Sequence, residues 1–88
     1  MKIKVDKSFI KDFNKISDKD IKAKIKLLLK NLEKIENFQE IPNLKKLKGF
    51  EDFYRISFNK YRLGFRYSNG EVIFIKVMLR KDIYRYFP

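Results

Sequence analysis

The stretch "YRISFNKYRLGFRYSNGEVIFIKVML", residues 54–79, decides the fold. Apolar and polar residues alternate along most of it, the period of a half-buried strand, and two dipeptides interrupt the alternation. Asn69-Gly70 suits a type I′ turn, whose two central positions both need positive φ, and Asn59-Lys60 is a second, weaker turn signal. Strands over about 53–58, 61–67 and 71–79 then form an antiparallel meander. With Asn59-Lys60 as a two-residue turn, Ser57 faces Arg62 and Arg55 faces Gly64, so Arg55, Ser57, Arg62 and Arg66 share one face of the sheet. The other face carries Tyr54, Ile56, Phe58, Tyr61, Leu63, Phe65 and Tyr67 and is the one a helical layer should cover. Gly64 leaves a gap among the arginines through which something can approach the backbone. The third strand is apolar on nearly both sides and reads as central.

These strands also change the chain's choice of cation. Lysine supplies 17 of the 22 basic residues, yet three of the five arginines, Arg55, Arg62 and Arg66, lie between residues 54 and 67, and Arg80 and Arg85 follow near the C-terminus. A net charge of +11 attracts polyanions, nucleic acid first, with a membrane surface or an acidic protein as the other options. A genome poor in G and C favours lysine, and many of the lysines merely solvate a helix face under that reading. Arginine differs, because its planar fork grips phosphate bidentately and stacks on bases as an ammonium cannot. Alternating arginines are also simply the wet side of many half-buried sheets. Acidic residues would then be expected among them, and none occurs between Asp52 and Glu71.

Outward from the meander, "KIKV" at residues 2–5 alternates as a short strand. Phe9, Phe13 and Ile16 have helical spacing, in a helix entered at about Lys7 or Ser8. Ser17 and Asp20 resemble a capping box that opens a second helix. Ile21, Ile25, Leu28, Leu29, Leu32 and Ile35 give that helix one apolar stripe, with its lysines mostly facing away. Pro42 marks a connection, and "LKKLKGF" leads into the meander as a basic loop. The expected fold is α+β: a short N-terminal strand and a helical hairpin packed on an antiparallel sheet that ends in a three-stranded meander.

Eighty-eight residues suffice for one core and hence one domain, 1–88. The chain has neither cysteine nor histidine, so disulfides and thiolate sites are excluded and a transition-metal site is not expected. No apolar run approaches the roughly 18 residues that span a bilayer. The N-terminal "MKIKVDKSFIKDF" alternates charge with hydrophobe where a signal peptide needs an unbroken apolar stretch. A soluble, cytoplasmic protein without a membrane partner is the expectation.

A basic strand containing "YRI", a following "KYRLGF", an "NGEVIFIKV" strand and a terminal "RKDIYR" resemble the RelE/ParE superfamily of toxins from bacterial and archaeal toxin–antitoxin pairs. The likeness covers nearly the whole chain in element order and is most specific from Lys48 to Arg85. Its RelE-like branch implies a ribosome-dependent endoribonuclease that cuts mRNA in the A site by 2′-hydroxyl attack, without metal or cofactor. Its ParE-like branch implies a poison of DNA gyrase. The resemblance assigns RNA-backbone contact to Arg55, with Ser57 where relatives carry a second lysine, and matches Arg62, Arg80 and Tyr84 to the remaining site positions. Many relatives have a histidine directly before the arginine of the terminal motif; here that position is Leu79, and the usual general base is missing. Strict alternation also puts Arg80 on the face opposite Arg62, unless a bulge or strand end lies between them.

RNA cleavage of this kind needs a base, charge stabilisation at phosphorus, and a proton for the departing 5′-oxygen. Fixed guanidinium groups such as those of Arg62 and Arg80 suit the second task, at about 3 kcal/mol each. Arginine stays protonated and is a poor base, which leaves Lys60, Lys76 and Tyr84 as candidates. A ribosome that holds mRNA in line for attack lowers the demand on any of them. Lys45, Lys46 and Lys48, together with Ser57, Lys60, Arg66, Lys76 and Lys81, are the expected RNA contacts, against the plainer reading of a solvated loop and surface. Tyr84 beside Arg85 is suited to base stacking, whereas Tyr86 and Phe87 read as apolar docking of the C-terminus. Expected partners are an acidic, partly disordered antitoxin and the ribosome with its mRNA. The alternatives are DNA gyrase as target, or a non-catalytic RNA-binding role.

Overall fold

A computed structural model describes residues 1–88. Along the chain run β1 (Lys2–Val5), α1 (Lys7–Asn14), α2 (Lys19–Leu32), a 3-10 turn (Phe38–Glu40), β2 (Leu44–Lys46), β3 (Phe53–Phe58), β4 (Tyr61–Ser68), β5 (Glu71–Leu79) and α3 (Arg80–Tyr86). Asn69 and Gly70 both take positive φ, 51° and 77°, as a type I′ turn demands. Asn59 alone is positive at the other turn, at 58°, and Phe58 still faces Tyr61 across a two-residue link. The register is the one the turns imply, with Ser57 opposite Arg62 and Arg55 opposite Gly64.

The sheet order is β1-β5-β4-β3-β2. All pairs are antiparallel except β1 with β5, which run parallel. The middle strand is therefore β4, and β5 is covered on its outer side by β1. It is thus an interior strand, as expected, and its apolar character on both faces fits the packing of α1 and α3 against it. "LKK" at 44–46, expected as loop, pairs with β3 as the fifth strand. Three residues carry too little alternation to announce a strand.

Each long helix opens on an aspartate. Asp6 accepts from the Ser8 amide at 3.2 Å, and Asp18 accepts from the amides of Asp20 and Ile21 at 2.9 and 3.2 Å. The expected capping box at Ser17 is thus displaced by one residue. A carboxylate at 18 satisfies two orphan N–H groups and also complements the helix dipole, which a hydroxyl does less well. The helix ends at Leu32, so Ile35 follows it but stays packed against the core.

Phe9, Ile21, Ile25 and Leu32 from the helices meet Ile56, Leu63, Phe65, Val72, Phe74 and Val77 from the sheet in one apolar cluster. Each such burial stabilises by about 1.5–3 kcal/mol. Two lysines of α2 do not simply face water: Lys22 and Lys26 place their ammonium groups 5.1 and 5.8 Å from the centre of the Phe13 ring. No helix is long and apolar enough to cross a membrane.

One irregularity sets the geometry of everything after it. From Ser68–Glu71 to Phe65–Phe74 the β4–β5 ladder keeps the register of its turn; at Gly64 it slips, pairing Gly64 with Lys76 and Arg62 with Met78. Ile75 is the extra residue of a β-bulge, and a one-residue slip exchanges faces for all that follows. Helix α1 holds the bulge. Ser8 Oγ donates to the Ile75 carbonyl, and the Val77 amide donates to Asp12 Oδ2 at 3.2 Å. Asp12 is only 6% exposed and takes Lys76 Nζ at 3.8 Å as a second partner.

The arginine face is not wholly wet. Helix α3 lies across it, fully burying Ile83, and Phe87 is buried with it. The gap at Gly64 is filled by that last aromatic: a Cβ there would lie 2.6 Å from Phe87 Cδ2. Phe53 packs against Phe87 edge-on, with centroids 5.7 Å apart.

Candidate nucleic-acid interface

The site is assembled from an edge strand, its neighbour and the final helix. Lys45 on β2 is the register partner of Arg55 on β3, and α3 brings Tyr84 over Arg55, with the guanidinium carbon 4.7 Å from the ring centre. Arg80 precedes Tyr84 by one helical turn and faces the same way. Its backbone amide donates to the Lys60 carbonyl at 3.0 Å, which fastens the start of α3 to the β3–β4 turn.

Arg55 is 9% exposed, and no carboxylate lies within ion-pair distance of it. Every ion pair in the chain is made by a lysine: Lys2 and Lys4 with Glu71, Lys24 with Asp20, and Lys76 with Asp12. A cation this buried is ordinarily paired. Here the Tyr84 ring and a groove of about 360 Å³, lined by Lys45, Lys46, Lys48, Arg55 and Tyr84 among others, take the place of an acid. The Tyr84 phenol is held below its ordinary value of 10.0, first by Arg80 approaching its hydroxyl as a hydrogen-bond donor, then by the charges of Arg55 and Lys45. Three cations around one phenol favour the phenolate.

The other expected residues are placed as follows. Arg62 stands opposite Ser57 on the same face, but its Nη1 donates to the carbonyls of Asn59 and Tyr61 at 3.0 and 2.8 Å, holding the guanidinium at the turn. Ser57 and Lys60 are exposed there. Arg66 lies opposite Phe53, farther along the strand, and is exposed. Lys76 is engaged by Asp12, and Lys81 and Arg85 are exposed on α3. The bulge at Ile75 is the break in alternation that Arg80 required: Arg62 now pairs with Met78, so the chain enters α3 from the arginine side. Tyr86 is 54% exposed, so Phe87 alone docks the C-terminus.

Two residues that shape this site, Asp12 and Phe50, were not singled out in the sequence, and a third, Phe87, was read there only as docking the C-terminus. Asp12 anchors the bulge, and its only signal is an acid on the apolar side of a short helix. Phe87, expected to dock, specifically fills the gap at Gly64. Phe50, at the rim of the groove, is an aromatic embedded in the basic "LKKLKGF". No group of three or more His, Cys, Asp or Glu side chains is arranged to hold a metal ion.

A buried unpaired guanidinium beneath an aromatic ring, a second arginine beside it and lysines along the groove form a surface for a phosphate and an adjoining base. Comparison with known proteins identifies the family. The family model for the ParE toxin of the type II toxin-antitoxin system, parDE, matches residues 3–84. Toxin RelE3 of Methanocaldococcus jannaschii is 34% identical over 89 residues, spanning all of both chains. A chain of the RelB-RelE antitoxin-toxin complex from Methanococcus jannaschii superposes with a TM-score of 0.81 at 32% identity, over 97% of this chain and 99% of that one. A chain of the toxin-antitoxin complex RelBE2 from Mycobacterium tuberculosis shares the fold, with a TM-score of 0.71 at 18% identity, over 90% and 96%. With the expected α+β architecture present and these likenesses spanning its length, the chain belongs to the RelE/ParE superfamily of type II toxin–antitoxin toxins.

Proposed function

We propose that this toxin is a ribosome-dependent endoribonuclease that cleaves mRNA in the A site. The observation that carries the reading is Arg55, buried without a carboxylate partner and stacked on Tyr84 beside Arg80. Such a group gains most when an anion enters the groove, because burial strengthens the attraction and no internal acid competes for it.

In the proposed reaction the Tyr84 phenolate takes the proton of the 2′-hydroxyl, and the 2′-oxygen attacks phosphorus. The bond from phosphorus to the 5′-oxygen breaks, and that oxygen leaves with a proton from solvent. The products are a 2′,3′-cyclic phosphate and a 5′-hydroxyl end. Arg55 and Arg80 stabilise the charge gathered on the phosphoryl oxygens, and Lys45, Lys46 and Lys48 hold the flanking backbone. Arg62 adds to the field on the same face. Tyr84 is a single phenol drawn toward its ionised form by neighbouring cations, and the ribosome holding mRNA in line supplies much of the rate. Free RNA is cut poorly. The protein works in the cytoplasm and is neutralised by a cognate acidic antitoxin, by analogy with the partner named in the RelB-RelE complex.

A second reading, inhibition of DNA gyrase, is favoured by the ParE description of the matching family model and by Leu79 in the position where RelE-like relatives carry a base. Mapping mRNA ends on ribosomes after the toxin is induced separates the two. Cuts in A-site codons support the nuclease; DNA damage with intact mRNA supports gyrase.

A further inference from the structure

The loop between β2 and β3 has features that a spacer does not need. Phe50 near its tip is 49% exposed. Two surface depressions, of about 360 and 510 Å³, share Lys46, Leu47, Lys48 and Phe50, so the loop is a ridge between the Arg55–Tyr84 groove and a second groove beyond it. It is also held in shape. The Leu47 amide donates to the Phe53 carbonyl at 3.0 Å and the Tyr67 amide to the Asp52 carbonyl at 2.8 Å. Gly49 and Asp52 turn the chain with positive φ, 79° and 68°. The Phe50 ring meets Phe53 edge-on at 6.4 Å, and Phe53 meets Phe87 at 5.7 Å, linking the loop to the floor of the first groove through aromatic contacts.

We propose that this loop is a second nucleotide subsite, in which Phe50 stacks on an RNA base and Lys46 and Lys48 hold its phosphate. The inference rests on the RNA-cleaving reading and extends it by one nucleotide past the scissile phosphate. An exposed, preorganised aromatic between lysines offers a face that any base can use, while the cations track the backbone. Glu51 is the one acid lining the second groove, facing two lysines there.

The chain contains no tryptophan, so Phe50→Trp introduces a single indole at the loop. A short single-stranded RNA, titrated against this variant, should quench the indole emission in step with binding read by anisotropy of the labelled RNA. The same oligomer made abasic should bind more weakly and leave the emission unchanged. Phe50→Ala should weaken RNA binding by roughly five- to a hundredfold, the range of one base–aromatic stack, and Phe50→Tyr should restore it. RNA that binds without quenching, or that binds Phe50→Ala as tightly as the native chain, overturns the subsite. If the native protein still cuts A-site mRNA in that case, only the subsite falls. If the native protein neither cuts nor binds RNA, both readings fall together.

Discussion

The guanidinium carbon of Arg55, on the strand next to the edge of the sheet, lies 4.7 Å from the centre of the Tyr84 ring on the last helix. The stack separates two tasks of one side chain, since the ring holds the cation and the hydroxyl handles the proton. Tyr84→Phe keeps the ring and should lower single-turnover cleavage on ribosomes by about a hundredfold or more, with RNA binding unchanged. Tyr84→Ala should impair both. Equal binding by the two variants would remove the stacking role.

The phenol of Tyr84 is depressed by Arg80, then by Arg55 and Lys45. It should therefore ionise below its ordinary value, visible as a phenolate absorbance step in an alkaline titration that is absent in Tyr84→Phe. Arg80→Ala should move that step upward. Because the folded value lies below the unfolded one, the linked stabilisation is complete above the unfolded value and is lost as pH falls through the folded one. Cleavage should accordingly rise with pH up to the folded value and then level off. A pH-independent rate in that range would exclude the phenol as base.

Gly64 and Phe87 test how α3 is seated. An added methyl at Gly64 would lie 2.6 Å from the Phe87 ring, so Gly64→Ala should push the end of α3 off the sheet and carry Tyr84 away from Arg55. The expected result is a loss of cleavage of at least about tenfold, with overpacking costing roughly 1–3 kcal/mol. Adding Phe87→Ala should relieve the clash, so the double variant should be more stable than the sum of the single losses. Simple additivity in urea unfolding would show that the two residues do not meet.

Asp12 should behave as a structural acid. Asp12→Ala leaves the Val77 amide without its partner, a loss of about 1–3 kcal/mol for a buried donor. Asp12→Asn, which keeps an acceptor oxygen, should cost less. Urea denaturation measures both, and an Asp12→Ala protein as stable as the native one would contradict the role given to α1 in holding the bulge.

Much of the fold could be read from residues 54–79, because two turn dipeptides and a period of two leave little freedom in register once one face must be buried. The pairing of Ser57 with Arg62, the buried side of Ile56, Leu63 and Phe65, and the helical hairpin all follow from local rules. What escaped depends on contacts between distant segments. The extra residue at Ile75 is invisible in an apolar run and is stabilised by Ser8 and Asp12 on another element. β2 is too short to show a period, and β1 reveals its parallel pairing only through the partner it finds. Within the candidate site, arginine enrichment marked one face of the sheet, the face that α3 crosses, but not which guanidinium groups meet. Arg55 and Arg80 gather around Tyr84, while Arg62 is engaged by turn carbonyls and Arg66 lies farther along the strand.

The most direct test is to titrate the protein with a short RNA carrying a 2′-deoxy sugar at the cleavage position, which binds but cannot react, while following the arginine Nε–H and tyrosine ring resonances by NMR. Arg55, Arg80 and Tyr84 should shift together with one saturation curve, and Arg66 should stay nearly still. Saturable shifts confined to Arg66 and the helix lysines, with Arg55 and Tyr84 unmoved, would contradict the account.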